Sequence, residues 1–189
     1  MKASLSLDLD NLWSYLKTHG DPAWVDYPSY LDTVIPHILE LTAGTPISVF
    51  VVGQDAAFEH NRELLGRLAG AGHEIGNHSF RHEPWINQYA GSEIADELKA
   101  AHETISTATG EQPVGFRGPG YSLSLTTLQE LGRRGYRYDA STLPTVIGPL
   151  ARAYYLRSTG MDDEERAQRS HLFGTVSDGF RSLRPYRWD

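Results

Sequence analysis

Two pairs of side chains in this sequence have the residue types and the spacing that can bind a cation. Asp8 and Asp10 stand two residues apart in SLSLDLDN, and His78 and His82 stand four residues apart in GNHSFRHEP. The alternation of Ser and Leu predicts a β-strand, on which Asp8 and Asp10 would share one face and repel each other. A cation between the two carboxylates, or the use of one of them as a base, would explain that arrangement.

The histidine pair taken alone is a weaker signal. On a helical turn, imidazoles four residues apart project from one face and can bind the same cation, although such pairs also occur by coincidence on surfaces. A carboxylate would bring the count to three protein ligands, the number that a catalytic zinc keeps, and Asp10 is the natural third ligand. Asp8 would then be free to act on a water molecule. A solvated turn is the simpler interpretation of Asp8 and Asp10 considered by themselves.

Composition narrows the classes of function. The chain has 189 residues, a formal net charge of -7 and no cysteine. The length suits a single domain, which we expect to span residues 1–189. The negative net charge and the lack of a cluster of basic residues argue against a nucleic-acid partner. The lack of cysteine excludes disulfides, thiol nucleophiles and thiolate ligands. No apolar run has the length of a membrane span and the start leaves no room for a signal peptide, so we expect a cytoplasmic protein.

The elements that must position these side chains alternate between strand and helix. The first strand should place Leu5, Leu7 and Leu9 on one face; further strands are predicted in PISVFVVG, HEIGNH, PVGFRG and YRYDAS. Helices are predicted in PSYLDTVIPHILELTAG, in AFEHNRELLGRLAGAG, from an N-cap at Ser92 to about Thr109, and in SLTTLQELGRRG. The alternation predicts an α/β fold with a parallel sheet and right-handed crossovers, either open or closed into a barrel.

Polar residues follow four of the five predicted strands. In open and in closed parallel sheets, ligands gather at the carboxyl ends of the strands. The residues at those ends are Asp8 and Asp10 for the first strand, His78 and His82 for the third, Arg117 for the fourth and Asp139 for the fifth. We therefore expect them to converge on one rim. Taken alone, Arg117 could be an ordinary surface arginine, and Asp139 with Ser141 could form an ordinary turn.

Four segments, in order, resemble the motifs of a known family. SLDLDN, NHSFRHEP, RGPGYS and YDAS are similar to the successive motifs of the polysaccharide deacetylase family, carbohydrate esterase family four, and span residues 4 to about 144. The resemblance implies a distorted (β/α) barrel and a divalent metal, usually zinc, bound by Asp10, His78 and His82. Many members have adjacent aspartates, whereas the D-x-D spacing here resembles a subgroup that includes deacetylases of peptidoglycan and of lipid-linked sugars.

The same resemblance implies roles for five further residues. Asp8 would be the general base, Arg117 would pair with Asp8, and Asp139 would steady Arg117. The backbone N–H of Gly120 or of Tyr121 would donate to the tetrahedral oxyanion, although Gly120 stands where an aromatic residue usually follows the proline.

The last motif of the family is not found in the sequence. That motif, a Leu-x-x-His, supplies the general acid, and His171 lies too early to replace it. We therefore expect a barrel that is incomplete at its last strand or strands.

The expected activity is a metal-dependent hydrolysis that removes an N-acetyl or N-formyl group from an amino sugar in a glycan or a lipid-linked precursor. One alternative is a metal-independent amidohydrolase of the same superfamily acting on cyclic amides such as allantoin, which the intact Asp10, His78 and His82 disfavour. The other is a non-catalytic sugar-binding fragment, which the missing final histidine favours. The sequence does not indicate an oligomeric state.

Overall fold

The computed structural model describes residues 4–143, 145, 180–182 and 184–187. Within them, parallel strands form one sheet in the order β1-β2-β3-β4-β5. The strands are β1 (Ser6–Leu9), β2 (Ser48–Val51), β3 (Glu74–Asn77), β4 (Gly115–Phe116) and β5 (Tyr138–Asp139). The register pairs Leu9 with Val51 and Val51 with Asn77, so the first three strands end level. The predicted α/β fold with a parallel sheet is confirmed.

Helices connect the strands. They are α1 (Leu12–Thr18), α2 (Leu31–Leu41), α3 (Gly53–Ala57), α4 (Glu59–Gly70), α5 (Gly91–Thr109) and α6 (Leu125–Arg133), with short 3₁₀ turns at Pro22–Asp26, Ile86–Gln88 and Pro119–Tyr121. Pro36 lies inside α2 rather than at its start. None of the helices in the described ranges is long and apolar enough to span a membrane.

The main core lies between the sheet and three helices. Val49 and Val51 of β2 are fully buried against apolar residues of α2, α4 and α5. The predicted inner stripe of α5 is confirmed, because its four members are completely buried: Ile94, Leu98, Ala101 and Ile105. The helix begins earlier than Ser92, since the Glu93 carboxylate accepts a hydrogen bond from the Ala90 N–H at 2.8 Å and closes the first turn there.

The first strand departs from the prediction. Leu9 is 3% exposed, but Leu7 is 37% exposed and Leu5 is 61% exposed. Among the described strands β1 pairs only with β2, so it forms an edge of the sheet. The strand begins at Ser6, so Leu5 lies outside it, and of the three leucines only Leu9 is buried.

Candidate metal centre

The three predicted metal ligands converge at the carboxyl edge of the sheet. Asp10 directly follows β1, His78 directly follows β3, and His82 lies four residues further along. Asp10 Oδ1 is 3.3 Å from His78 Nε2 and 3.0 Å from His82 Nε2. The possible ligand atoms of the three residues all lie within 4.8 Å of one another.

The burial and the chemistry of this cluster fit a divalent cation. The side chains of His78 and His82 are 2% and 8% exposed. Asp10 Oδ1 and His82 Nε2 are buried and have no hydrogen-bond partner within the described part of the chain. Buried polar atoms without partners are costly, and a cation bound to all three residues would satisfy them. Two imidazole nitrogens and one carboxylate oxygen also match the ligands of catalytic zinc sites.

The ionisation of the cluster shows that it attracts positive charge. Burial alone would raise the pKa of Asp10, but the contacts with His78 and His82 outweigh it and hold the pKa well below its usual range. Burial alone would lower the pKa of His78, but the contact with Asp10 and the charges of Asp10 and Asp8 raise it above its usual value. The raised pKa of His78 means that, without a cation, a proton on this imidazole is favoured by the neighbouring carboxylates.

The two histidines are brought together by a loop and not by a helical turn. Residues 78–83, the histidine loop, have a left-handed backbone at Ser79 (φ 61°) and His82 (φ 55°). Asn77 Oδ1 accepts a hydrogen bond from the Ser79 N–H at 2.8 Å, and the Ser79 hydroxyl accepts one from the His82 N–H at 3.2 Å. The expected helical geometry is therefore wrong, although the expected proximity of the imidazoles is found.

A buried carboxylate from α5 fixes the histidine loop. Glu97 is 3% exposed, and its Oε2 accepts hydrogen bonds from the N–H groups of Phe80 and Arg81, both at 3.0 Å. Arg81 also forms an ion pair with Glu97 Oε1 at 3.2 Å. The sequence analysis missed this residue, although Glu97 lies beside Leu98 of the buried stripe of α5.

The ring of His78 is oriented by a backbone carbonyl. His78 Nδ1 lies 2.6 Å from the carbonyl oxygen of Arg117. A proton on Nδ1 is donated to that carbonyl, so Nε2, which faces Asp10, is the nitrogen that would bind a cation. The loop after β4 thus holds one ligand of the metal centre.

Arg117 joins the fourth strand to the first. Its Nη1 donates to Asp8 Oδ1 at 2.6 Å, its Nη2 donates to the Ser6 hydroxyl at 2.7 Å, and its Nε donates to the Ala140 carbonyl at 3.2 Å. The guanidinium carbon also lies 4.3 Å from the centre of the Phe50 ring. Four contacts fix the guanidinium, and Asp8 is held as its charged partner.

Asp139 supports this region through Ser141. Its Oδ1 accepts hydrogen bonds from the Ser141 N–H at 3.2 Å and the Ser141 hydroxyl at 2.5 Å. The Ser141 hydroxyl in turn accepts one from the Gly118 N–H at 2.8 Å. No hydrogen bond joins Asp139 to Arg117 in the described residues, and the hydrogen bonds of Asp139 reach the arginine's neighbour Gly118 through Ser141. Burial raises the pKa of Asp139, and the hydrogen bonds from Ser141 and the charge of Arg117 only partly offset it.

The two predicted oxyanion donors lie in a tight loop. Residues 117–122, the arginine loop, contain a left-handed backbone at Gly120 (φ 60°) and Tyr121 (φ 59°). A Cβ atom at Gly118 would lie 1.9 Å from the Ser122 carbonyl oxygen, so only glycine fits there. The Tyr121 N–H donates to the Gly118 carbonyl at 2.9 Å and is already engaged.

One buried aspartate beside the centre was missed. Asp55 is 1% exposed, and its Oδ1 accepts hydrogen bonds from Asn11 Nδ2 and Trp13 Nε1, both at 2.8 Å. Burial raises its pKa to about 6, although the two hydrogen bonds and the charge of His82 oppose that effect. Asp55 follows β2 by four residues, so applying the strand-end rule to the second strand would have found it.

His73, which lies near the histidine pair in the sequence, takes part in other contacts. His73 is buried, accepts a hydrogen bond from the Ile47 N–H at 3.3 Å and lies 3.2 Å from the Thr42 hydroxyl, so it orients the turn before β3. His171 lies outside the described residues.

Comparisons with known proteins agree with the fold. The family model for polysaccharide deacetylases matches residues 26–138. A peptidoglycan deacetylase from Helicobacter pylori is 30% identical over 155 residues, which are 80% of this chain and 51% of that protein. This chain therefore spans about half the length of that relative.

Solved structures extend the comparison. A polysaccharide deacetylase from Mycobacterium smegmatis is 27% identical with a TM-score of 0.62, over 72% of this chain and 49% of that one. An acetyl xylan esterase from Clostridium thermocellum, determined with a cobalt ion, is 18% identical with a TM-score of 0.55, over 88% of this chain and 65% of that one. The parallel sheet and its helices thus have the architecture that the resemblance implied. The chain belongs to the polysaccharide deacetylase family.

Proposed function

We propose that this chain is a metal-dependent deacetylase that removes the N-acetyl group of an amino sugar in a glycan, with zinc as its cation. One observation carries the proposal: Asp10, His78 and His82 converge beside an Asp8 that is held by Arg117. A cation site and a positioned carboxylate are the two parts that hydrolysis of an amide by a metal-activated water requires.

The residues of the chain would divide the chemistry among them. A divalent cation bound to Asp10, His78 and His82 would polarise the acyl carbonyl and acidify a water molecule. Asp8 would accept the proton of the attacking water, and the 2.6 Å contact with Arg117 fixes this carboxylate in orientation. Asp139, through Ser141, would hold the loop that carries Arg117.

Gly120 is the better candidate of the two oxyanion donors. The Tyr121 N–H donates within the arginine loop, to the Gly118 carbonyl, and could serve an oxyanion only by breaking that bond. We therefore propose that the Gly120 N–H stabilises the negative charge that develops on the acyl oxygen.

The substrate class is supported by the comparisons. The Helicobacter pylori relative is named a peptidoglycan deacetylase, which supports an N-acetylated cell-wall sugar or its precursor as the substrate. The alternative of a metal-independent amidohydrolase is disfavoured because it gives no role to Asp10 Oδ1 and His82 Nε2, the buried atoms that lack hydrogen-bond partners among the described residues. Location in the cytoplasm stays a prediction.

The first test is the cation content of the purified chain after dialysis, measured by mass spectrometry. Wild type should hold close to one zinc or similar cation per chain, and His78→Ala should lose it. His60→Ala is the matched control, because His60 is exposed and stacks on Phe58, and it should bind as wild type does. Equal cation content in wild type and His78→Ala would contradict the proposed centre.

The second test is acetate release from N-acetylglucosamine oligomers and from peptidoglycan. Asp8→Asn should bind the cation normally but lose activity by a factor of about 100 or more, the usual contribution of a general base. A zinc-loaded wild-type chain that releases no acetate from either substrate would contradict the proposed reaction while leaving the metal centre intact.

A further inference from the structure

The two histidine ligands differ in what holds their second ring nitrogen. His78 Nδ1 contacts the Arg117 carbonyl oxygen at 2.6 Å. His82 Nδ1 is buried and has no hydrogen-bond partner within the described ranges. A neutral imidazole that binds a cation through Nε2 carries its proton on Nδ1, and a buried N–H group needs an acceptor. His82 therefore lacks the support that His78 has.

Asp55 offers a buried acceptor that lacks a donor. Its Oδ1 is engaged by Asn11 and Trp13, whereas its Oδ2 is buried without a hydrogen-bond partner in the part of the chain that the structure describes. The carboxylate lies close enough to His82 and Asp10 for their charges to interact. A buried nitrogen without an acceptor and a buried carboxylate oxygen without a donor thus occur on residues whose charges interact, and the two atoms are not hydrogen-bonded to each other in this structure.

We propose that Asp55 is a positioning residue of the metal centre, whose Oδ2 accepts the Nδ1 proton of His82 when Nε2 binds a cation. The inference rests on the proposed function, because it assumes a cation at this site. A carboxylate behind a ligating imidazole fixes the ring and makes its free nitrogen a stronger ligand. No proton has to leave the pair, because the N–H group donates a hydrogen bond and keeps its proton.

The network around Asp55 extends to a second ligand. Asn11, which donates to Asp55 Oδ1, directly follows Asp10 in the sequence. Its own Oδ1 accepts hydrogen bonds from the N–H groups of Leu12 at 2.8 Å and Tyr30 at 3.1 Å. One side-chain network therefore anchors the backbone beside Asp10 and, in our proposal, also orients His82.

Asp55 could instead only stabilise the fold, through the hydrogen bonds that its Oδ1 accepts from Asn11 and Trp13. Two variants distinguish this structural role of Oδ1 from the proposed positioning role of Oδ2. In Asp55→Asn the amide oxygen can still accept from Asn11 and Trp13, but an NH₂ group replaces Oδ2 and cannot accept from His82. In Trp13→Phe the opposite holds, because one bond to Oδ1 is lost and Oδ2 is untouched. The pair is a matched test of the two oxygens.

The experiment measures Co²⁺ and Zn²⁺ affinities by chelator competition, the visible spectrum of the cobalt form, and the melting temperature of the metal-free chain. We expect Asp55→Asn to bind both cations about 10- to 100-fold more weakly and to show an altered cobalt spectrum. Its metal-free melting temperature should not fall, since a buried charge is removed. Trp13→Phe should melt at a lower temperature, with cation affinities and a cobalt spectrum close to those of wild type.

Three results would overturn the inference. The first is wild-type cation affinity and cobalt spectrum in Asp55→Asn. The second is a loss of affinity in Trp13→Phe as large as that in Asp55→Asn, which would indicate a general effect of the network. The third, which needs no Asp55 variant to fold, is the absence from the nuclear magnetic resonance spectrum of the zinc-loaded wild type of a slowly exchanging, strongly downfield Nδ1 proton of His82.

Failure of this inference and failure of the proposed function give different results. A wild-type chain that binds neither Co²⁺ nor Zn²⁺ would refute the metal centre, and the inference with it. Normal binding in wild type together with normal binding in Asp55→Asn would refute the inference alone.

Discussion

The histidine loop and the arginine loop leave parallel strands at the same edge of the sheet, but they are stabilised in different ways. Both turn through left-handed backbone conformations. The histidine loop does so at Ser79 and His82, whose side chains make φ values of 61° and 55° unfavourable. The arginine loop uses Gly120 for its first left-handed residue, followed by Tyr121.

The two loops also depend on different partners. The histidine loop donates two hydrogen bonds to a separate helix, where the buried carboxylate of Glu97 accepts them. The arginine loop depends on the missing Cβ of Gly118 and on one hydrogen bond to Ser141. A loop that must present a ligand side chain at a left-handed position cannot use glycine there, so contacts from elsewhere in the fold have to stabilise it.

The two loops meet at one contact, the 2.6 Å approach of His78 Nδ1 to the Arg117 carbonyl. A substitution in either loop should therefore weaken cation binding, but for different reasons. Changes in the histidine loop displace a ligand directly. Changes in the arginine loop act on His78 through the carbonyl that orients it.

The largest effect is expected from Glu97→Ala, which removes the support of the histidine loop. The partly buried N–H groups of Phe80 and Arg81 would lose their acceptor and Arg81 its charged partner, so the free energy of unfolding should fall by about 3 kcal/mol. The cation affinity should fall as well, because His82 lies one residue beyond Arg81. Chemical denaturation and chelator competition measure the two effects.

Two control variants define what Glu97 contributes. Glu97→Gln keeps an amide oxygen for the two backbone N–H groups and should lose only about 1 kcal/mol. Glu103→Ala, on the same helix, removes a side chain that is 61% exposed and should change stability by less than about 0.5 kcal/mol. If Glu97→Ala were no less stable than Glu103→Ala, the histidine loop would have to be held by its own hydrogen bonds.

A smaller effect is expected from Gly118→Ala in the arginine loop. The new Cβ would lie 1.9 Å from the Ser122 carbonyl oxygen, so the backbone must shift. Overpacking of this kind should lower the free energy of unfolding by about 2 kcal/mol. Because Arg117 is adjacent, cation affinity should also fall, but less than in Glu97→Ala.

Gly132→Ala is the matched control for the arginine loop. Gly132 lies in α6 with no atom near the position of its missing Cβ. Alanine there should stabilise the chain by roughly 0.5–1 kcal/mol, because glycine is a poor helix former. Should Gly118→Ala behave like Gly132→Ala in denaturation experiments, the arginine loop would be able to relax around a side chain.

The sequence predicts the strands, the helices and the rim residues better than it predicts the sheet order. Strands and buried stripes follow from hydrophobic periodicity, and the carboxyl ends of parallel strands meet at one edge, so the rim positions of Asp10, His78 and Arg117 were predictable. The sheet order was not encoded in that pattern. The exposure of Leu5 and Leu7 depends on β1 being an edge, and local sequence carries little information about which strand lies at an edge.

Loop geometry was the other part that periodicity could not supply. A four-residue spacing of histidines predicts a helical face, but left-handed residues at Ser79 and His82 produce the same proximity by another path. The support from Glu97 joins residues from two elements and has no local signature. Asp55 is a different case, because the strand-end rule that found the other rim residues applies to β2 as well.

The smallest expected effect is a pH-dependent change in melting temperature that comes from Asp139, which supports the arginine loop and not the histidine loop. Burial raises the folded-state pKa of Asp139 above its ordinary value of 3.8. A group whose pKa is higher in the folded state contributes stability below its unfolded-state pKa and loses that contribution as the pH rises through the folded-state value. In Asp139→Asn the amide oxygen can still accept from Ser141, and no charge develops. The melting temperature of wild type should therefore fall relative to that of Asp139→Asn as the pH rises from 4 to 7.

The control for this pH effect is Asp96→Asn, which changes an exposed aspartate of α5 and should follow the wild-type pH profile. Both variants should bind zinc as wild type does at pH 7, because the histidine loop is unaltered and Ser141 can still hold Gly118. A parallel pH profile for wild type and Asp139→Asn would mean that Asp139 stays charged at little cost. The Ser141 and Arg117 contacts would then offset its burial completely.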